Sequence, residues 1–255
     1  MKSKQILSII TVIIFGVVFA SCEKNKGNGQ ITSETRQLDS FSKVEVAGAY
    51  IVYVNHDSKS EVKIEAESNL IQYIRTEVKN GILTIDNSQN IHPEFDIKIY
   101  VKTPGVYALE LSGSGIIEAD SLVGENAEVN ISGSGIIETR IIADHVVVQN
   151  SGSGLLNLEF ADSTETIEHT TSGSGLANFS GRSDFGNFEI SGSGHINTLN
   201  LILNELDATI SGSGNMNVNV IDYLNVNISG SGSVFYMGDP DVDVDITGSG
   251  TVQKL

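Results

Sequence analysis

Eight times between Ser112 and Gly250 the chain writes one tetrapeptide, Ser-Gly-Ser-Gly, with threonine leading the last copy. The copies begin at Ser112, Ser132, Ser151, Ser172, Ser191, Ser211, Ser229 and Thr247, so successive spacings are 20, 19, 21, 19, 20, 18 and 18 residues. A fixed period of this length marks a solenoid, in which each repeat is one coil stacked on its neighbours. Between the tetrapeptides the residues alternate. Val226 and Ile228 are apolar where Asn225 and Asn227 are polar, and Val242, Val244 and Ile246 alternate with Asp241, Asp243 and Asp245. Period two means strand with one face buried. Coils of strand, stacked parallel and in register, make a parallel β-helix.

Parity within a coil assigns the tetrapeptide a role. With its first residue as position zero, apolar residues fall at −3, −1 and +5, all odd and therefore inward. The glycines at +1 and +3 are odd as well. Gly113, Gly115, Gly133, Gly135, Gly152, Gly154, Gly173, Gly175, Gly192, Gly194, Gly212, Gly214, Gly230, Gly232, Gly248 and Gly250 are thus expected as inward-facing slots of a pinched corner, with the serines outside. Position +5 stacks Ile117, Ile137, Leu156, Ala177, Ile196, Met216, Val234 and Val252 into a core column. Position −1 stacks Ile131 near Leu111, and Ile190, Ile210, Ile228 and Ile246 beyond. Asn150 and Thr171 interrupt that column in adjacent coils and are expected to pair with each other. His169, at −3, reads as a hydrogen-bonded core histidine. Position +4 is even and points outward. It carries His195, Asn215, Ser233 and Thr251 in the last four coils but Ile116, Ile136, Leu155 and Leu176 in the first four. Those four form a candidate interaction stripe, unless the corner shifts the parity or the N-terminal segment covers them.

The chain begins with Lys2 and Lys4, an apolar run from Ile6 to Ala20, and then Ser21-Cys22. This is a secretory signal over residues 1–21. Small residues before the only cysteine resemble a bacterial lipobox, with Phe19 in place of the usual aliphatic residue, so Cys22 is the expected lipidation site. Residues 22–30 are expected as a flexible tether. Loss of two lysines with the signal takes the formal charge from −17 to −19, which excludes nucleic acid as a partner and disfavours adsorption on anionic lipid. Residues 31–110 lack the tetrapeptide but alternate in "KVEVAGAYIVYVNH", "EVKIEAE", "GILTIDN" and "FDIKIYVKTPG"; they read as an N-terminal β segment or cap continuous with the GSG-repeat helix of residues 111–255. The run Asp239–Asp245 reads as charge that keeps the last coil from pairing, because alternate carboxylates on a strand stand about 6–7 Å apart, too far for one compact cation site. Asp120-Ser121-Leu122 and Asp162-Ser163-Thr164 have the form of bacterial O-glycosylation acceptors.

Residues 31–255 resemble the head GIN domain family of auto-transporter adhesins. The resemblance rests on "FSKVEVAGAYIVYV" (Phe41 to Val54), "VKNGILTI" (Val78 to Ile85) and the serial GSG corners, "SGSGHIN" (Ser191 to Asn197) most clearly. Glu118 and Glu138 depart from it where asparagine would stand. The resemblance implies an all-β, right-handed parallel β-helix and a role in cell adhesion. Coils this short leave little length for a catalytic cleft, and there is no tryptophan to serve as a sugar platform. The expected function is therefore a non-catalytic outer-membrane lipoprotein, facing the periplasm or the cell surface, that adheres or binds through its β-helix wall. Its partners are the membrane, through the N-terminal lipid, and a glycan or protein ligand, with self-association left open. No metal or cofactor is expected. The alternatives are a structural envelope protein without a polymer ligand, and a polysaccharide-active β-helix enzyme. Replacing Cys22 with Ala should move the protein out of the membrane fraction. Unchanged fractionation would show that Cys22 is not the anchor.

Overall fold

The computed structural model describes residues 25–162 and 164–255. The signal segment 1–21, Cys22 and Ser163 of the second acceptor tripeptide lie outside the described residues. Before the repeats come β1 (Ile31–Gln37), β2 (Lys43–Gly48), β3 (Ile51–His56), β4 (Glu61–Glu67), a 3-10 turn (Ile71–Tyr73), β5 (Ile74–Lys79), β6 (Ile82–Asn87) and β7 (Lys98–Thr103). The repeats supply β8 (Ala108–Gly113), β9 (Ile116–Val123), β10 (Asn126–Gly133), β11 (Ile136–Ile142), β12 (His145–Gly152), β13 (Leu155–Phe160) and β14 (Thr164–Gly173). They continue as β15 (Leu176–Gly192), β16 (His195–Gly212), β17 (Asn215–Gly230), β18 (Ser233–Met237), β19 (Asp241–Gly248) and β20 (Thr251–Lys254).

The result is an all-β parallel solenoid with two long ladders. One runs through the strands that precede the corners, β6-β2-β8-β10-β12-β14, the second halves of β15, β16 and β17, and β19. The other runs through those that follow, β7-β3-β9-β11-β13, the first halves of β15, β16 and β17, then β18 and β20. The expected columns form. Ile117, Ile137, Leu156, Ala177, Ile196, Met216 and Val234 lie directly over one another, fully buried. Each large aliphatic in such a column contributes roughly 1.5–3 kcal/mol by leaving water.

The two glycines of a corner do different things. The second is inward and buried, as parity requires. A Cβ on Gly135 would stand 2.5 Å from Leu111, on Gly154 2.5 Å from Ile131, and on Gly214 2.6 Å from Ile190. The position −1 side chain of one coil thus fills the space beside the second glycine of the next. The first glycine is not an inward slot. It is only partly buried and sits at positive φ, for example +128° at Gly192, where a Cβ would meet the carbonyl oxygen of Gly173 at 2.6 Å. Backbone conformation and the stacked carbonyl, not the core, exclude a side chain there.

The N-terminal segment joins the solenoid as strand. Val46, Ala47 and Gly48 pair with Leu111, Ser112 and Gly113, so Ala47-Gly48-Ala49-Tyr50 is a degenerate first corner. Tyr50 stands where every later coil has its second glycine. It is buried, lies against Gly48, and its hydroxyl meets Asn87 Oδ1, closing the bottom of the glycine stack. β1 and the chain between β3 and β8 then seal both ladders with antiparallel strands. β5 pairs with β6 through a two-residue turn at Asn80-Gly81, both at positive φ, and β1 and β4 extend β7. These strands satisfy edges that would otherwise stay open.

Residues 25–30, expected within a flexible tether, are held to this cap. Gly27 N donates to His92 O and His92 N to Asn25 O, both at 2.9 Å, and Asn69 Nδ2 donates to Lys26 O at 2.8 Å. Polar, glycine-containing sequence reads as linker, but here it supplies backbone groups that the cap's loops bind. At the other end, Val242, Val244 and Ile246 of β19 are 37–41% exposed, whereas Leu224, Val226 and Ile228 one coil below are buried. Asp241, Asp243 and Asp245 stand exposed between them, and among the described residues no group of such side chains is placed to hold a metal ion.

The polar interruption of the core is also corrected. Asn150 and Thr171 lie side by side in the ladder but do not bond each other. Asn150 Nδ2 donates across its own corner to Gly154 O at 2.9 Å, and Thr171 Oγ1 meets His169 Nε2 at 2.9 Å. His169 Nδ1 bonds Val148 O at 3.2 Å, and its ring packs edge-on against Phe179 at 4.9 Å. Burial drives the His169 pKa down to about 4 from 6.5, partly offset by the Val148 carbonyl. The histidine is therefore a neutral core residue.

Two outcomes follow for stability. Gly194→Val should destabilise by about 1–3 kcal/mol or more, since its Cβ meets Thr171 Cγ2 at 2.5 Å, while Ser193→Ala, on the exposed side, should change little. Equal melting temperatures would contradict the corner packing. The His169 term is fully present above pH 6.5 and is lost as pH falls toward 4, because the unfolded chain binds the proton first. Wild type should lose on the order of 1–2 kcal/mol more than His169→Phe between pH 7 and 5 in denaturant titrations. Parallel pH profiles would contradict a neutral buried ring.

Candidate functional site

The wall that follows the corners carries three outward columns, because each strand there presents alternate residues to the outside. The first is position +4. Ile51, Ile116, Ile136, Leu155 and Leu176 pair in unbroken sequence, then His195, Asn215, Ser233 and Thr251. The five aliphatics are half-buried, between fully buried +5 residues and exposed serines. Parity is therefore kept through the corner. The cap does not fold over the stripe either; it continues the wall, with Lys98 pairing beside Ile51.

The second column, two residues on, is Tyr100, Tyr53, Glu118, Glu138, Asn157, Asn178, Asn197 and Asn217, with Phe235 and Gln253 beyond. Tyr53 and Tyr100 stack with ring centroids 5.3 Å apart and planes 18° from parallel. Lys63 Nζ lies 5.5 Å from the Tyr100 ring centroid. Lys63 also pairs with Glu65 at 2.5 Å, and this hydrogen bond holds the Glu65 carboxyl below its ordinary value. Asn157 Nδ2 donates to Glu138 Oε1 at 2.6 Å, and Asn178 Nδ2 to Asn157 Oδ1 at 3.0 Å. The chain of amides then stops. Asn197 Oδ1 is shielded from water and accepts no hydrogen bond from the described residues.

The third column holds Asn55, Asp120, Arg140 and Glu159. Asp120 accepts from Asn55 Nδ2 at 3.2 Å and from His56 N at 3.0 Å, and Arg140 Nε stands 3.6 Å from Glu159. A bulge sets this column. Thr139 pairs with Ala119 but Ile141 pairs with Leu122, so β9 carries one residue more than β11. Two shallow hollows result, of about 340 and 430 Å³, and they share Glu138, Thr139 and Arg140. The first is flanked by Tyr53, Asn55 and Glu118, and the second by Asn157, Asn178, Asn197 and Asn200. Together they form one open trough along the wall, beside the aliphatic stripe.

Of the residues singled out from sequence, the stripe borders this trough. The corner glycines line neither hollow of the trough. Cys22 lies outside the described residues. The amide column was missed, although its signal was present: Glu118, Glu138, Asn157, Asn178, Asn197 and Asn217 all stand six residues after the first serine of a corner. Tyr53 and Tyr100 had no such marker, since no tetrapeptide registers them; Asp120, Arg140 and Glu159 do share one spacing, eight residues after the first serine of a corner, but their residue types follow no repeat.

The fold has close counterparts among solved structures. A crystal structure described as a putative adhesin from Parabacteroides distasonis superposes with a TM-score of 0.83 at 23% identity, over 91% of this chain and 99% of that one. Another so described, from Parabacteroides merdae, gives 0.80 at 21% identity over 90% and 98%. A protein from Parabacteroides distasonis described as a putative lipid binding protein gives 0.79 at 24% identity over 90% and 98%. At such identities the likeness shows the fold. No curated protein matches the chain. The family model described as "Putative auto-transporter adhesin, head GIN domain" matches residues 40–240, which spans the first degenerate corner, the cap strands except β1, and nearly all the repeats. The chain belongs to that family of adhesin-like envelope proteins.

Proposed function

We propose that this protein is a non-catalytic lipoprotein of the bacterial outer membrane that holds a polysaccharide strand along the trough. One observation carries the reading: an aliphatic stripe and a column of amides and carboxylates run side by side, in register, on one flat wall. A sugar ring has an apolar face and a hydroxylated rim. The stripe suits the first and the column the second, and successive coils repeat both every 4.8 Å or so, comparable to the length of a pyranose unit. The stacked tyrosines at the cap end add further contacts. The wall selects by charge. Glu118, Asp120, Glu138 and Glu159 outnumber Arg140, on a chain of net charge −17, which disfavours uronate, sulfate or phosphate polymers. Adhesion to a glycan-coated surface is the role consistent with the family's description.

Affinity electrophoresis in gels containing neutral or anionic polysaccharides tests this. Retardation is expected with a neutral polymer. It should weaken about tenfold in Asn157→Ala/Asn178→Ala, two neutral hydrogen-bonding groups at roughly 0.5–1.5 kcal/mol each. Ile136→Ser/Leu155→Ser should weaken it similarly. Absence of retardation across the panel, or retardation indifferent to both double variants, would contradict the reading. Release of cleaved product from any polymer would show an enzyme instead. Loss of oligomers in the Ile136→Ser/Leu155→Ser variant would assign the stripe to self-association.

A further inference from the structure

The cap end carries a feature the binding wall does not use. Glu67 is only 1% exposed, and its carboxylate clamps two loops. Oε1 accepts from Gly29 N at 2.6 Å and Oε2 from Glu94 N at 2.8 Å. Gly27 lies so close that a Cβ there would fall 2.0 Å from Oε2. Lys26 Nζ adds a 3.0 Å ion pair to Glu94. Immediately beyond the clamped residues stand Ile31 and Phe95, each 54% exposed, among the most exposed large apolar side chains described. They line one hollow of about 280 Å³ with Glu65, Asp96 and Lys98. A buried carboxylate thus fixes, on a rigid base, two apolar side chains that face water together.

The position of this pair along the chain points to its occupant. Asn25 is already bonded to the cap through His92 and Asn90. Only two residues, Glu23 and Lys24, separate it from Cys22, and the three Cα steps reach at most about 11 Å at full extension. We infer that the cap end rests on the membrane itself, with Phe95 and Ile31 entering the interface of a zwitterionic lipid surface; this rests on the lipoprotein reading of Cys22. A short leash and an apolar pair give two anchoring contributions, and Lys98, in the same hollow, lies where a long basic side chain reaches headgroups. Glu65, Glu94 and Asp96 nearby disfavour an anionic surface. The trough then begins near the bilayer and runs away from it along the stacked coils.

The chain has no tryptophan, so Phe95→Trp creates a single reporter. The full lipoprotein carrying it is reconstituted into vesicles of phosphatidylcholine and phosphatidylethanolamine containing lipid brominated near the headgroup. The expected result is a blue-shifted emission quenched at least twofold by the bromolipid, with no quenching of a Tyr223→Trp control placed far along the solenoid. Ile31→Trp serves as a second reporter should Phe95→Trp fail to fold. Reporters that float with the vesicles yet stay unquenched would overturn the docking while leaving the lipid anchor intact. Wild-type protein that floats no better than Cys22→Ala would mean the lipoprotein reading has failed, and the docking with it.

Discussion

From the second repeat onward, every coil of this protein depends on one packing contact. The side chain at position −1 of a coil occupies the space beside the second glycine of the next, at distances that leave no room for a Cβ. That contact closes the corner, sets the stacking register and keeps the +5 column vertical. Because each coil meets only its neighbours, the constraint is local and must be renewed at every step. This is why the glycine recurs where little else does. The first glycine of the pair answers a separate demand, a positive φ beneath a stacked carbonyl, so the tetrapeptide combines a steric and a conformational requirement within three residues.

The contact also tolerates exchange of its filler. Leucine, isoleucine, asparagine and threonine all occupy position −1, so the space accepts apolar and small polar side chains alike. Thr171 finds its partner in His169, and Asn150 Nδ2 donates to Gly154 O, while Asn150 Oδ1 accepts no hydrogen bond from the described residues. The interior thereby holds a small neutral polar cluster without a buried charge. At the ends the rule changes. Tyr50 replaces the glycine where no coil lies beneath, and antiparallel strands take the place of the next turn.

A rigid stack of this kind offers functional surface in columns. Each outward position becomes a row of side chains running along the axis, so a preference spread thinly through the sequence is concentrated on one wall. Four asparagines about 20 residues apart become neighbours, and three of them, Asn157, Asn178 and Asn197, join Glu138 and Arg140 as the edge of a trough. The same stacking leads from the clamped cap, with its exposed Ile31 and Phe95, to the far coil, and so relates the trough to the N-terminal end of the described chain.

By itself the sequence determined the solenoid, the inward columns, the corner and the outward direction of Ile116, Ile136, Leu155 and Leu176. All of these are properties of periods two and twenty, which survive in one dimension because strand alternation and coil stacking are themselves periodic. Only the tertiary structure decided the rest. It separated the roles of the two glycines, since φ and the position of a carbonyl in another coil leave no trace in parity. It brought Tyr53 beside Tyr100 and Glu67 against Gly29 and Glu94, contacts that cross irregular loops of the cap with no repeat to register them. It also turned a polar stretch that reads as linker into part of the cap, because whether backbone amides stay in water or bind a buried carboxylate depends on what the fold places opposite them.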